Sequence, residues 1–116
     1  MKLYSEETMQ DVKSAVDAEV LRWPGVRPNK RFGCPCYEAD GKLFAFLVTG
    51  GMVLTQLPEA ERDRLTRGRK ASAFEAGGRT VQRWTKLPLT VPRELPRLLP
   101  YIRMSHRAAS EAAKGA

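Results

Sequence analysis

Hydrophobic residues recur at steps of three or four near the start of the chain, at Met9, Val12, Val16, Val20 and Trp23, with Asp11, Lys13, Asp17 and Glu19 between them. This spacing places the apolar side chains on one stripe and predicts an amphipathic helix. Ser5 is placed to cap it, Glu6 and Glu7 complement the dipole in its first turn, and Pro24-Gly25 stops it. The period then changes. Residues 26–29 read as a connecting loop, because Pro28 disfavours helical geometry at Arg27. Residues 30–38 alternate, with Phe32, Cys34 and Cys36 on one face, and predict a strand. Pro35 cannot donate a ladder hydrogen bond, so this strand is expected at an edge or bulged there. Asp40-Gly41 supplies the residue types that accept positive φ in a tight hairpin. Residues 43–48 are apolar without interruption, which predicts a central strand covered on both faces.

Thr49-Gly50-Gly51 makes the next turn, and residues 52–57 supply a third strand. Pro58 opens a short helix with Glu59 and Glu61 in its first turn, Arg62, Arg64 and Arg67 towards its end and Gly68 as its stop. Residues 73–75 can add a short strand before the Gly77-Gly78 turn, and the alternation over residues 80–87 favours another. A last helical stripe runs through Leu95, Leu98, Leu99, Ile102, Ala109 and Ala113. Pro96 and Pro100 each remove a donor and crowd the preceding turn, so this helix is expected to start near Pro96 or to kink at Pro100. The order is α-βββ-α-ββ-α: an α+β fold with a single antiparallel sheet of about five strands and helices packed on it, forming one domain over residues 1–116.

With 116 residues, of which 42% are hydrophobic and 28% charged, the chain suffices for one core and not for two. No stretch approaches the ~20 apolar residues of a membrane span, and the first residues lack the apolar run of a secretory signal, so the expected setting is cytoplasmic. Cys34 and Cys36 flank Pro35. Same-face residues on a strand lie roughly 7 Å apart, beyond the Cα separation a disulfide prefers, so both thiols are expected reduced. Two thiolates and the distant His106 are too few for a structural zinc site, and the spacing is not that of a Cys-x-x-Cys redox pair. His106 is also the only histidine that could serve a cysteine nucleophile, and its place beside the last apolar stripe reads as structural. Glu38 and Asp40 sit at a turn, and the glycine pairs follow no phosphate-loop pattern. The residues predict no catalytic centre, no metal and no cofactor.

Arg31-Phe32-Gly33-Cys34-Pro35-Cys36-Tyr37-Glu38-Ala39-Asp40-Gly41-Lys42-Leu43-Phe44-Ala45-Phe46 resembles the first hairpin of the TfoX N-terminal domain family, with its aromatic-Gly start, Asp-Gly turn and Phe-Ala strand. Phe74-Glu75-Ala76-Gly77-Gly78-Arg79-Thr80-Val81 and the closing basic helix are similar to that family and to the related MmcQ/YjbR group. The likeness runs from about Trp23 to Ala113. Cys34-Pro35-Cys36 departs from it, standing where such domains usually carry more glycine. The resemblance implies a compact, secretion-chaperone-like domain without an assigned activity, some relatives being linked to competence regulation and the MmcQ/YjbR group to DNA binding. Fold likeness does not carry function across.

The formal charge of +7 is uneven: residues 62–107 hold twelve basic residues against three acidic ones. Thirteen of the twenty basic residues are arginine, which suits bidentate contacts to phosphate. Arg79, Arg83, Arg97, Arg103 and Arg107 are the candidate anion or nucleic-acid contacts if they share one face; otherwise they form a merely basic, solvated surface. No helix-turn-helix or zinc-finger spacing is present. Trp23, Trp84 and Tyr101 are the candidate lining of a groove between the sheet and the end helices. The expected role is a non-enzymatic binding or regulatory domain, monomeric or weakly dimeric, with an unknown protein or small-molecule partner, or alternatively with nucleic acid.

Overall fold

The computed structural model describes residues 2–115. The first helix, α1 (Glu6–Val20), begins where the Ser5 hydroxyl accepts the Thr8 amide, and buries Met9, Val12, Val16 and Val20. Four strands follow: β1 (Val26–Arg31), β2 (Cys34–Ala39), β3 (Lys42–Val48) and β4 (Gly51–Leu54). After α2 (Glu59–Arg67) come β5 (Ser72–Ala76) and β6 (Arg79–Pro88), then a 3₁₀ turn over Pro92–Glu94 and the long α3 (Leu95–Gly115). The strands form a single antiparallel sheet in the order β1-β2-β3-β4-β6-β5, with the helices packed on it. The α+β architecture is the expected one. β3 lies inside the sheet, and Phe44, Ala45, Phe46, Leu47 and Val48 are all buried. No helix among the described residues is long and apolar enough to cross a membrane.

The sheet has six strands rather than about five, because residues 26–29, expected as a loop, belong to β1. The strand expected over residues 30–38 is in fact two strands joined by a turn at Phe32-Gly33. Both turn residues have positive φ, 58° and 73°, which a two-residue hairpin with the native twist requires. Such a turn is usually announced by Asn or Asp before Gly, as at Asp40-Gly41. Phe32 is an unfavoured occupant of left-handed backbone and hides the signal. Its ring is 65% exposed.

The prolines fit this pairing. Arg31 and Cys34 close the hairpin as a hydrogen-bonded pair, and alternation makes Lys30↔Pro35 and Pro28↔Tyr37 non-hydrogen-bonded pairs. Pro28 therefore turns its nitrogen to the free edge of β1. Pro35 turns its own towards β3, where the ladder begins only at Cys36↔Phe46. Neither proline removes a ladder bond. Pro35 thus sits on an interior strand without a bulge at its own position; the register shifts two residues later, between Tyr37 and Glu38. In α3, Pro96 occupies the first turn, and the helix passes through Pro100. Both prolines are exposed, so the Pro96 carbonyl that Pro100 leaves without an N–H faces water.

Ring positions reveal how strongly the sheet curls. Phe46 on β3 lies 5.4 Å, centroid to centroid, from both Phe74 on β5 and Trp84 on β6. β5 is three strand spacings from β3, about 14 Å in a flat sheet. The curl is located by the β5–β6 register, in which Phe74 pairs with Val81 but the preceding Ala73 pairs with Thr85, leaving Gln82, Arg83 and Trp84 as an unpaired bulge. The far edge thereby folds over Phe46. α3 is anchored elsewhere on β3: the buried Ser105 hydroxyl donates to the Phe44 carbonyl (2.7 Å) and accepts from the Gln56 amide (3.1 Å).

Phe46→Ala is expected to destabilise the protein by about 3–5 kcal/mol in chemical denaturation, as large core truncations do. Phe32→Asn is expected to change stability by less than about 1 kcal/mol, because the easier positive φ of asparagine offsets the lost tilted contact with Phe46, whose ring centroid lies 6.4 Å away.

Candidate anion-binding cleft

The bulge in β6 has chemical consequences. It frees the Gln82 carbonyl from the ladder, and Arg62 of α2 donates to that oxygen from Nη1 at 3.0 Å. This bond holds Arg62 against the bulge, and its Nε is buried without a protein partner. The bulge also carries Arg83 and Trp84 to the mouth of a cleft of about 350 Å³. Lys42, from the start of β3, and Thr55 and Gln56, just past β4, complete the polar wall. Three cations therefore line one concavity that has no carboxylate among its lining residues. Among the described residues none of the three is in an ion pair, whereas Lys13, Arg22, Arg31, Arg64 and Arg103 all are. Like charges converging on a concave wall focus the field on an anion.

The expected site residues are dispersed relative to this cleft. Arg83 lies in it. Arg79 is exposed at the β5–β6 turn. Arg103, Arg107 and Lys114 fall within about 40° of one another on α3 at 100° per residue, while Arg97 lies about 120° round from Arg103. Arg103 is already engaged: its guanidinium stacks 4.5 Å above the Trp23 ring and reaches Glu19 at 3.4 Å. Hydrogen bonds from Arg22 and, next in weight, from Trp23 hold the Glu19 carboxyl below its ordinary range despite partial burial. Trp23 is buried against the edge of His106. Trp84 packs with Phe46 and Phe74, and Tyr101 is half-buried on α3, so the three aromatics expected in one groove do not meet as ring pairs among the described residues.

Lys42 and Arg62 were not singled out from the sequence. Their signal was faint: Lys42 closes an Asp-Gly turn, and Arg62 is one of several arginines on a short helix. Only the bulge brings them to Arg83. α3 brings further cations near Lys42, because Ser110 donates to the Asp40 carboxylate at 2.8 Å, two residues from Lys42, and lines a hollow with Arg107, Lys114 and the acidic Glu111.

The remaining candidates for chemistry are all held in structural contacts. His106 lies edge-on to Phe44 and Trp23, and its Nε2–H donates to the Pro24 carbonyl at 2.9 Å. Cys34 and Cys36 are fully buried free thiols. Burial, and secondarily the neighbouring Cys36, pushes the Cys34 thiol up to about 11, and burial likewise raises Cys36. No group of three or more His, Cys, Asp or Glu able to hold a metal ion occurs among the described residues. No protein-family model, no curated protein and no solved structure matches the chain.

The thiol environment predicts a pH effect. An acid whose folded pKa is raised stabilises the fold fully below its unfolded value, and this contribution is lost as pH rises through the folded value. Cys34 therefore withdraws stability between its ordinary 9.0 and about 11. Tyr37, raised by burial and then by its bond to Asp17, withdraws more above 10. The melting temperature is expected to hold level from pH 7 to 8.5 and to fall above pH 9. Ellman's reagent at pH 8 should leave both native thiols untouched and titrate two in denaturant.

Proposed function

We propose that this protein is a non-enzymatic binding domain of TfoX N-terminal type whose ligand is a nucleic-acid strand, engaged through its phosphates at Lys42, Arg62 and Arg83 with a base against Trp84. The observation that carries this reading is the convergence in one cleft of an indole with three cations that, among the described residues, have no ion-pair partner and no lining carboxylate beside them. Arg83 can match phosphate oxygens with two parallel donors, Arg62, with Nη1 on the Gln82 carbonyl, offers Nη2 for a single contact, and an aromatic face accepts any base, so these features together fit a single strand read without sequence preference. A cleft of about 350 Å³ suits one nucleotide at a time. The α3 cations Arg107 and Lys114 near Lys42 offer the backbone a continuation beyond it.

Kinship with the TfoX N-terminal and MmcQ/YjbR groups rests on the residues around Asp40-Gly41 and Gly77-Gly78 and is part of the proposal. A role without catalysis is supported by thiols that are buried and protonated and by an imidazole that spends its N–H on a backbone carbonyl.

Fluorescence anisotropy with labelled single-stranded and duplex DNA tests the reading. Neutralising about three phosphates on a single strand gives a log–log salt slope near −2, so affinity should fall roughly fifteenfold between 50 and 200 mM salt. The double variant Lys42→Ala/Arg83→Ala, exposed at both positions, should fold normally, lose most of the affinity and flatten the slope from near −2 to about −0.7. Binding that this variant leaves unchanged, or no binding at low salt, overturns the proposal, and a strong preference for duplex overturns its single-strand form.

A further inference from the structure

The two edges of the sheet are finished differently. On β1 the closing pair Arg31↔Cys34 turns the backbone of Arg31, Asn29 and Arg27 towards β2, and that of Val26, Pro28 and Lys30 outwards. Every outward donor there is spent or absent: Val26 donates its amide to the Trp23 carbonyl (3.2 Å), Pro28 has no N–H, and Lys30 donates its amide to Oδ1 of Asn29 (2.7 Å). An edge without donors does not take a further strand into its ladder.

β5, at the other edge, has none of these devices. The pair Ala76↔Arg79 closes the Gly77-Gly78 hairpin, so Phe74 and Ala76 bond to β6 while Ala73 and Glu75 turn their N–H and C=O groups outwards. None of these four groups has a hydrogen-bond partner among the described residues. The strand, Ser-Ala-Phe-Glu-Ala, contains no proline and no basic residue to discourage pairing. Phe74 is buried against Phe46, which places Ala73 and Glu75 on the opposite face of the sheet, where Ala73 lines a hollow with Asp63, Thr66 and Arg67 of α2. Arg67 donates from Nε to the Asp63 carbonyl at 3.3 Å, and among the described residues it is in no ion pair.

We propose that β5 is a self-association edge, pairing antiparallel with β5 of a second copy of this chain about a two-fold axis at Phe74. In that register Ala73 of each copy faces Glu75 of the other as a hydrogen-bonded pair, so the four outward groups of each copy are all satisfied. Ser72 faces Ala76, and no like charges stand directly opposite. Charge selects the occupant: the Glu75 carboxylate of the second copy emerges beside Ala73, on the α2 face and within reach of Arg67. By symmetry each copy supplies one acid and one arginine, so a single patch serves as both halves of the contact. Two paired five-residue strands bury well under the ~1,200 Å² of a stable interface, so the dissociation constant is expected on the order of 0.1 mM. The inference does not depend on the nucleic-acid reading, since Lys42, Arg83 and Trp84 take no part in it.

Sedimentation equilibrium of the full chain from about 10 µM to about 1 mM tests it, and the average mass should rise from that of a monomer towards that of a dimer. Ala73→Pro removes one outward donor from each copy and no ladder bond within the chain, so it should weaken the dimer at least about tenfold and leave the melting temperature of the dilute protein unchanged. Glu75→Lys and Arg67→Glu, both at exposed positions, should each weaken it about fivefold, because two exposed ion pairs become repulsive. The double variant Glu75→Lys/Arg67→Glu should return to within about twofold of the wild type, since the pair is restored with its signs exchanged. A chain that stays monomeric throughout overturns the proposal, as does a dimer indifferent to a folded Ala73→Pro variant. Charge reversals without effect, or not rescued in combination, overturn it too, and these variants decide the matter by themselves should Ala73→Pro fail to fold.

Discussion

The structure depends on Phe46 being covered by the distant edge of its own sheet. A flat six-stranded sheet would leave β5 about 14 Å away, and the face carrying Phe46 would need another layer above it. Instead, the Gln82–Arg83–Trp84 bulge lets β5 and β6 curl until Phe74 and Trp84 meet Phe46 ring to edge. Edge-to-face geometry of this kind adds about 0.5–1.5 kcal/mol per pair to the burial itself. One irregularity in one ladder thus closes the core over a strand that is apolar on both faces.

The same irregularity determines the surface chemistry. A bulge exposes backbone groups and re-aims side chains, which is why bulges recur beside binding sites. Here it releases the Gln82 carbonyl to Arg62 and turns Arg83 and Trp84 towards Lys42. The basic cleft is in this sense a by-product of closing the core. A substitution that straightened β6 would be felt in stability and in binding together.

What the sequence revealed followed the strength of its local signals. The stripe from Met9 to Trp23, the Asp40-Gly41 turn, the apolar run of β3 and the Pro58 and Gly68 boundaries of α2 are each governed by short-range preferences, and each element was found where those preferences placed it. β1 was missed because Pro28 reads as a loop residue and its compatibility with an edge strand depends on pairing phase, which only tertiary structure decides. The turn at Phe32-Gly33 was missed because an aromatic occupies a position that usually goes to Asn or Asp. At the site the limit was similar. Arg83 and Trp84 were legible as a cation and an aromatic on one strand, but alternation put them on opposite faces. Their convergence with Lys42 and Arg62 requires a bulge that no turn residue announces. Arg103, by contrast, read as a free cation, and the fold gives it Trp23 and Glu19 as partners.

The claim that bulge and cleft form one functional unit is tested most directly by photo-cross-linking the protein to a single-stranded oligonucleotide bearing 5-bromouracil, followed by mapping of the modified tryptic peptide. The adduct is expected on Trp84, and Lys42→Ala/Arg83→Ala should abolish it. Adducts confined to Trp23 or to α3, with Trp84 unmodified, would contradict it.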